Sequence, residues 1–317
     1  EGLILIDNKT EVLSYNSSAK AQLDAGDITY GKSVLEISSD KEFAGAVHSA
    51  LAGERSAPVL ESGGRIYQLF ANPVAVGGTV SGAVLLILDV TEREQRDAMR
   101  REFTSNVSHE LKTPLTSIYG ISEIMMNGIV KPQDMEGFAK NIHDESGRLI
   151  TLIEDILRLS QLDEGTQESQ QEDTDLYSIA QEVVGRLLRV AEKCGVVLTI
   201  SGESAPMRGI PSILSEMVYN LCDNGIKYNK AGGMVQVDVS HRDGHVVLTV
   251  QDTGIGIPPE HQDRVFERFY RVDKSHSKAI GGTGLGLSIV KHGAAYHGAQ
   301  VSLFSKEGEG TTVQIRF

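Results

Sequence analysis

The stretch Ser108-His109-Glu110-Leu111-Lys112-Thr113-Pro114-Leu115-Thr116-Ser117-Ile118 decides how the rest of the chain is read. Around it, Val107, Leu111, Pro114, Ile118, Ile121 and Met125 follow at spacings of four, three, four, three and four residues. That alternation is the apolar seam of a helix packed against a partner helix. At about 100° per residue, His109 lies roughly 200° from both Val107 and Leu111, so it points away from the seam. The histidine therefore stands on the outer wall of a helical bundle, with Glu110 beside it and Thr113 one turn further on. Pro114 interrupts the backbone ladder just after it, because proline lacks an N–H and crowds the carbonyl four residues back. Alone, this is a surface histidine on an amphipathic helix.

Working outward, the charged run from Thr91 predicts one long helix over about 91–127, closed near Gly128. A second helix begins near Pro132, with Phe138, Ile142, Glu145, Leu149, Leu152, Ile156 and Leu159 repeating the heptad spacing. Two antiparallel helices joined by a short loop form a hairpin, and one hairpin buries little. Two copies packed as a four-helix bundle are the economical solution, which predicts a homodimer.

Upstream, residues 1–90 read as a small α+β domain. Strands are expected at Gly2–Asp7, Val12–Tyr15, Ile66–Phe70 and Val84–Leu88, with Gly77-Gly78 as the turn before the last. Downstream, residues 164–175 contain no apolar side chain and predict a flexible, solvated linker. Beyond the linker, residues 176–317 read as an α/β domain. Its helices fall at Leu176–Val190, Pro211–Tyr228 and Leu285–Tyr296. Its strands fall at Val196–Ile200, Val235–Val239, Val246–Val250, Val301–Phe304 and Thr312–Phe317.

Composition sets the outer bounds. A length of 317 residues accommodates two or three domains, and 40% hydrophobic with 23% charged residues is ordinary globular chemistry. The net charge of -13 argues against a general nucleic-acid binder, which needs a basic face. Cys194 and Cys222 lie among apolar residues of predicted helices, which predicts buried free thiols rather than a disulfide or metal site. The longest apolar run, Ala83–Leu88, is too short to span a bilayer. The chain begins at Glu1 without an initiator methionine and is read as a piece of something longer.

Four clusters in the last domain carry chemistry. In Asn220-Leu221-Cys222-Asp223-Asn224-Gly225-Ile226-Lys227-Tyr228, the two asparagines share a helix face with Lys227. Amide oxygens there can ligate Mg²⁺ shared with phosphates, while the bland alternative is a solvent-facing helix end. Asp252-Thr253-Gly254-Ile255-Gly256-Ile257 follows a strand. Asp252 can accept from an exocyclic amine such as adenine's, and the glycines let backbone approach a flat ring. In Val265-Phe266-Glu267-Arg268-Phe269-Tyr270-Arg271, aromatics anchor a segment from which Arg268 and Arg271 can reach phosphate oxygens. Gly281-Gly282-Thr283-Gly284-Leu285-Gly286-Leu287 leads into a helix, and such a turn with a helix N-terminus forms an anion site. It is neither a GxxxxGK[ST] loop nor an early Rossmann fingerprint.

Each cluster alone is modest. In this order, behind a histidine-bearing hairpin, they resemble the sensor histidine kinases of two-component signalling, of the phosphate- or cell-wall-sensing kind. The likeness covers about residues 90–317, and residues 1–90 more loosely resemble a PAS sensor domain. The resemblance implies a multidomain α+β chain divided as 1–90 PAS-like sensor, 91–163 signalling helix and phosphotransfer hairpin, 164–175 linker and 176–317 ATP-binding domain. The hairpin would form a dimeric four-helix bundle, and the last domain a GHKL-type α/β sandwich.

By that likeness His109 would attack the γ-phosphorus of ATP and pass the phosphoryl group to an aspartate of a response regulator receiver domain. Glu110 would hold the imidazole tautomer, and Thr113 would orient water for regulator dephosphorylation. Asn224 would be the main Mg²⁺ ligand, assisted by Asn220. Lys227, Tyr228 and Arg271, with Arg268, would serve the phosphates, and Asp252 the adenine. Gly254, Gly256, Gly282, Thr283, Gly284, Leu285 and Gly286 would shape the pocket beneath a lid over about 272–281. The resemblance further implies the cytoplasmic portion of a membrane-anchored bacterial protein, with the membrane reached only through a segment absent from this chain. Ile210 departs from the family, which often has an acidic residue there. Two other readings share part of the pattern. One is a GHKL ATPase of the chaperone or mismatch-repair type, which has no need of the histidine hairpin. The other is a dimeric PAS scaffold with a non-catalytic ATP domain.

Overall fold

The computed structural model describes residues 1–23, 30–38, 40–163, 171–272 and 282–317. The chain divides into two compact units, Glu1–Thr104 and Ser105–Phe317.

The first unit contains β1 (Gly2–Asp7), β2 (Val12–Tyr15), α1 (Ser17–Gln22), α2 (Lys41–Leu51), β3 (Val59–Ser62), β4 (Arg65–Val76) and β5 (Thr79–Asp89). The strands form one antiparallel sheet in the order β2-β1-β5-β4-β3. Strand alternation turns Ile4, Ile6, Leu69, Leu85 and Ile87 inward, where they pack with Phe43 and Val47 of α2 in one cluster. Asn16 and Asp40 cap α1 and α2, each side chain accepting a backbone N–H of the first turn. The expected strands are present, but β4 and β5 extend well past the predicted apolar runs. The added residues pair through backbone regardless of polarity. β3 went unpredicted because its four residues, Val59-Leu60-Glu61-Ser62, are half polar and bury only Leu60.

α3 (Thr91–Met126) runs unbroken through Pro114, which is buried. α4 (Met135–Asp163) returns after a short turn and completes the hairpin. The remaining elements are β6 (Glu172–Asp175), α5 (Leu176–Lys193), β7 (Val197–Gly202), β8 (Pro206–Gly209), α6 (Pro211–Lys227), β9 (Met234–Arg242), β10 (His245–Asp252), α7 (Pro259–Gln262), α8 (Gly286–Tyr296), β11 (Gln300–Lys306) and β12 (Gly310–Arg316). Five strands form a sheet in the order β11-β12-β10-β9-β7, parallel only between β7 and β9. Residues of α5, α6 and α8 share one apolar cluster with the inward residues of the sheet, which makes a two-layer sandwich.

Two expectations are corrected here. Residues 172–175, read as the end of a solvated linker, form β6 and pair with β8 through backbone groups, while the Asp175 side chain caps α5 and accepts the Ala205 N–H. Residues 164–170, the rest of that linker, lie outside the described residues. Cys194, read as buried, is exposed at the end of α5, one residue beyond the helix. Cys222 is buried as expected, and desolvation pushes its thiol up to about 12.

His297 closes the end of α8 against the start of α6. Its Nδ1–H donates to the Gly293 carbonyl at 2.7 Å, and its Nε2 accepts the Ile210 N–H at 3.1 Å. Ile210 is itself buried and offers no side-chain cap to α6, and the imidazole satisfies its backbone N–H. Burial lowers the pKa of His297 below the ordinary 6.5. The unfolded chain therefore binds this proton more readily than the folded one. The stability held above the unfolded value is lost as pH falls through it toward the lower folded value. Thermal melts are expected to fall between pH 7.5 and 5.5, and to fall less in His297→Gln. Parallel slopes would remove His297 from the account.

Candidate functional site

The sequence clusters converge on a cavity of about 930 Å³ beside α6. Proline at the first position of α6 sets the helix entry, and Ile213, Leu214, Met217, Val218 and Leu221 turn one face into the core. The opposite face carries Glu216, Asn220, Asp223, Asn224 and Lys227 into the cavity. Asn220 Nδ2 donates to the Glu216 carbonyl at 3.0 Å, and Lys227 Nζ meets Asp223 at 2.6 Å. The Asn224 side chain has no hydrogen-bond partner among the described residues, and it is only half-buried. An amide facing a cavity in this way suits a cation with a hydration shell.

At the end of β10, Asp252 Oδ1 accepts two backbone N–H groups, from Gly254 at 2.8 Å and Thr311 at 3.2 Å. Both bonds fall on one oxygen, which leaves the other for the cavity. Desolvation raises the pKa of this carboxyl, outweighing the two hydrogen bonds. Gly256 has φ +68°, and a Cβ there would collide with the Lys306 carbonyl. Gly256→Ala is therefore expected to destabilise this domain by about 2–4 kcal/mol, from left-handed strain plus overpacking. Urea unfolding checks this, and a change within about 0.5 kcal/mol would mean the loop relaxes freely.

The aromatic segment is tied to the glycine-rich turn through backbone. The Phe269 N–H donates to the Gly284 carbonyl at 2.9 Å, and a Cβ on Gly284 (φ +74°) would press at 3.0 Å on the Phe269 backbone. The Tyr270 hydroxyl and His261 Nδ1 lie 2.6 Å apart, and Arg264 stacks on the Tyr270 ring.

The cavity thus gathers Asn220, Asn224, Lys227, Tyr228, Asp252, Gly256, Arg271, Gly282, Thr283, Gly284 and Gly286. It does not gather Gly254, Leu285 or Arg268. Gly254 and Leu285 are buried beneath the wall, and Arg268 turns to His292 on α8 at 2.9 Å. Residues 273–281, most of the expected lid, lie outside the described residues.

Sequence reading missed the wall that α4 contributes. Arg148, Thr151, Asp155 and Arg158, spaced three, four and three apart, line the same cavity. That polar stripe runs one residue before the apolar seam at Leu149, Leu152, Ile156 and Leu159, and its period was the available signal. His109 is exposed and outside the cavity wall. The Thr113 hydroxyl donates back to the His109 carbonyl at 3.2 Å. Among the described residues no hydrogen bond joins Glu110 to His109, its neighbour on the helix.

An exposed histidine on a helical hairpin and an amide- and glycine-lined cavity on a sandwich domain define a two-part phosphotransfer architecture. Comparison with known proteins agrees. Residues 99–165 match the His Kinase A (phospho-acceptor) domain, and residues 209–317 match the histidine kinase-, DNA gyrase B- and HSP90-like ATPase family. The chain is 38% identical over 234 residues to the sensor-like histidine kinase SenX3 of Mycolicibacterium smegmatis, covering 74% of this chain and 61% of that protein. It is 34% identical over 240 residues to the sensor histidine kinase WalK of Bacillus subtilis, covering 74% and 39%. The fold matches the histidine kinase ThkA, solved in complex with the response regulator protein TrrA, with a TM-score of 0.56 at 18% identity, covering 100% and 95%. The chain belongs to the sensor histidine kinases of two-component systems. It spans less than two thirds of the length of the SenX3 and WalK relatives.

Proposed function

We propose that this chain autophosphorylates on His109 with ATP and hands the phosphoryl group to an aspartate of a response regulator receiver domain. The observation carrying the reading is the joint presence of an exposed histidine on the hairpin and of Asn224 and Asp252 with free polar atoms facing one cavity. Neutral imidazole is a good nucleophile near physiological pH. One ring nitrogen forms the N–P bond as the bond from the γ-phosphorus to the bridging oxygen breaks and ADP departs. Glu110 has no ion-pair partner among the described residues and is available to take the N–H of the second ring nitrogen. Asp252 receives the adenine amine, and Lys227, Tyr228 and Arg271 receive the phosphates. Asn224, with Asn220 assisting, fits Mg²⁺, which when bound neutralises phosphate charge. Rate then rests on in-line positioning and charge neutralisation.

Thr113 is the residue we assign to water orientation in dephosphorylating the regulator, which adds a phosphatase activity. Exposed apolar side chains along the hairpin, including Leu115, Tyr119, Ile150, Ile153 and Leu157, support a second copy as the bundle partner. Residues 1–90 are read as the PAS-like input domain. No helix among the described residues is long and apolar enough to cross a membrane.

The test is incubation with γ-labelled ATP and Mg²⁺. Label that is acid-labile and alkali-stable, and that chases onto a purified receiver domain, is the expected result. ATP binding without any label would favour the scaffold reading.

A further inference from the structure

The N-terminus of α8 is where the nucleotide reading needs an open anion site, and the structure sets a carboxylate of the hairpin against the turn that precedes it. Leu285, the residue before the helix, offers no side-chain acceptor to the first-turn N–H groups. Thr283 stands two residues ahead of it in the glycine-rich turn. Its Oγ1 accepts the Leu285 N–H at 3.3 Å and donates its own proton to Asp155 Oδ2 on α4 at 2.7 Å. Asp155 as a residue is only 7% exposed, so its carboxyl faces the turn with little screening by water. Burial raises its pKa, the Thr283 hydroxyl opposes that, and Glu216, Arg158 and Lys227 are the charged groups that face it. A helix N-terminus favours a negative charge whether that charge is a phosphate or a carboxylate.

A second contact holds the same two elements together. Arg158, one turn beyond Asp155, pairs with Glu216, and Glu216 accepts the side-chain amide of Asn220. Both tethers therefore end on parts of the candidate nucleotide site: the glycine-rich turn and the asparagine helix.

We propose that Asp155 is a built-in phosphate mimic, an intramolecular competitor that occupies the anion site at the start of α8 while α4 walls the cavity. Resting on the nucleotide reading above, this adds that the phosphates of ATP must displace the Asp155 carboxylate from Thr283. Binding of the triphosphate and release of this part of the hairpin are then one event. The phosphate-bearing end of the nucleotide, rather than its base, frees the sandwich domain.

The test compares ATP and adenosine binding by calorimetry on the full chain, for wild type, Asp155→Asn and Arg158→Ala. Asp155→Asn keeps the shape and removes the charge. It is expected to tighten ATP by about three- to tenfold, the size of a helix-terminus charge interaction, and to leave adenosine unchanged. Arg158→Ala, on an exposed side chain, is expected to tighten ATP in the same sense by a smaller factor, and it serves if the first variant folds poorly. Unchanged or weaker ATP binding in these variants, with wild type binding normally, overturns the mimic. So does an equal gain for adenosine, which would indicate steric opening instead. If wild type binds no ATP, or Asn224→Ala leaves ATP affinity intact, the nucleotide reading itself fails and the mimic falls with it.

Discussion

His109→Ala is expected to abolish acid-labile phosphorylation completely while leaving ATP affinity within about twofold of wild type and the folded state intact. The loss is total because the substitution removes the atom that forms the N–P bond, not a group that assists it. The other two expectations follow from where the side chain sits. His109 is exposed, bonds to no side chain among the described residues, and lies outside the cavity wall. Replacing a surface side chain of this kind by alanine on a helix usually changes stability by no more than about 0.5 kcal/mol. The measurement is label incorporation beside calorimetric ATP binding on the same preparation. Label that persists in the variant would assign the acceptor to another residue. Loss of label together with loss of ATP binding would point to a folding defect instead.

Much of this arrangement was legible because it depends on short-range pattern. The 36-residue α3 and the 29-residue α4 declare themselves through heptad spacing, and the α6 face through the four-residue step from Asn220 to Asn224. Strand β1 was read to its ends because apolar alternation and a turn bound it on both sides. What escaped is what depends on tertiary contact. β6 is acidic and holds its place through the backbone of β8 and through the Asp175 carboxylate, which accepts the Ala205 N–H, contacts not visible in its own residues. Arg268 was grouped with Arg271 because both flank aromatics, yet the positive φ of Phe269 reverses the chain between them and sends Arg268 to His292. The pairing of Asp155 with Thr283 joins residues 128 positions apart, a separation that periodicity cannot reach. Ile210, just ahead of the asparagine helix, was read only as a departure from the family pattern, and the position of His297, 87 residues on, shows how its N–H is satisfied.

Asp252→Asn is expected to separate stability from nucleotide recognition, moving them in opposite directions. In wild type one carboxylate oxygen takes both backbone N–H bonds, from Gly254 and Thr311, and the other faces the cavity. An asparagine keeps its carbonyl oxygen on those two donors, which fixes its NH₂ toward the place proposed for the adenine amine. Donor then faces donor, and a charge-assisted hydrogen bond is lost as well. Such a change corresponds to about 1.5–3 kcal/mol, or roughly a ten- to hundredfold weaker ATP complex. Without nucleotide the sign reverses. Burial raises the Asp252 pKa above the ordinary 3.8, so the carboxylate form costs stability at neutral pH, and that cost disappears as pH falls through the raised value. The neutral amide carries no such cost, so the melting temperature of Asp252→Asn at pH 7 is expected to exceed that of wild type. Added ATP should raise the melting temperature of wild type by mass action and move the variant little. Scanning fluorimetry with and without ATP reads both effects in one experiment. An equal shift on ATP addition in both proteins would move adenine recognition away from Asp252. A lower melting temperature in the variant would mean that the two backbone bonds require the charge.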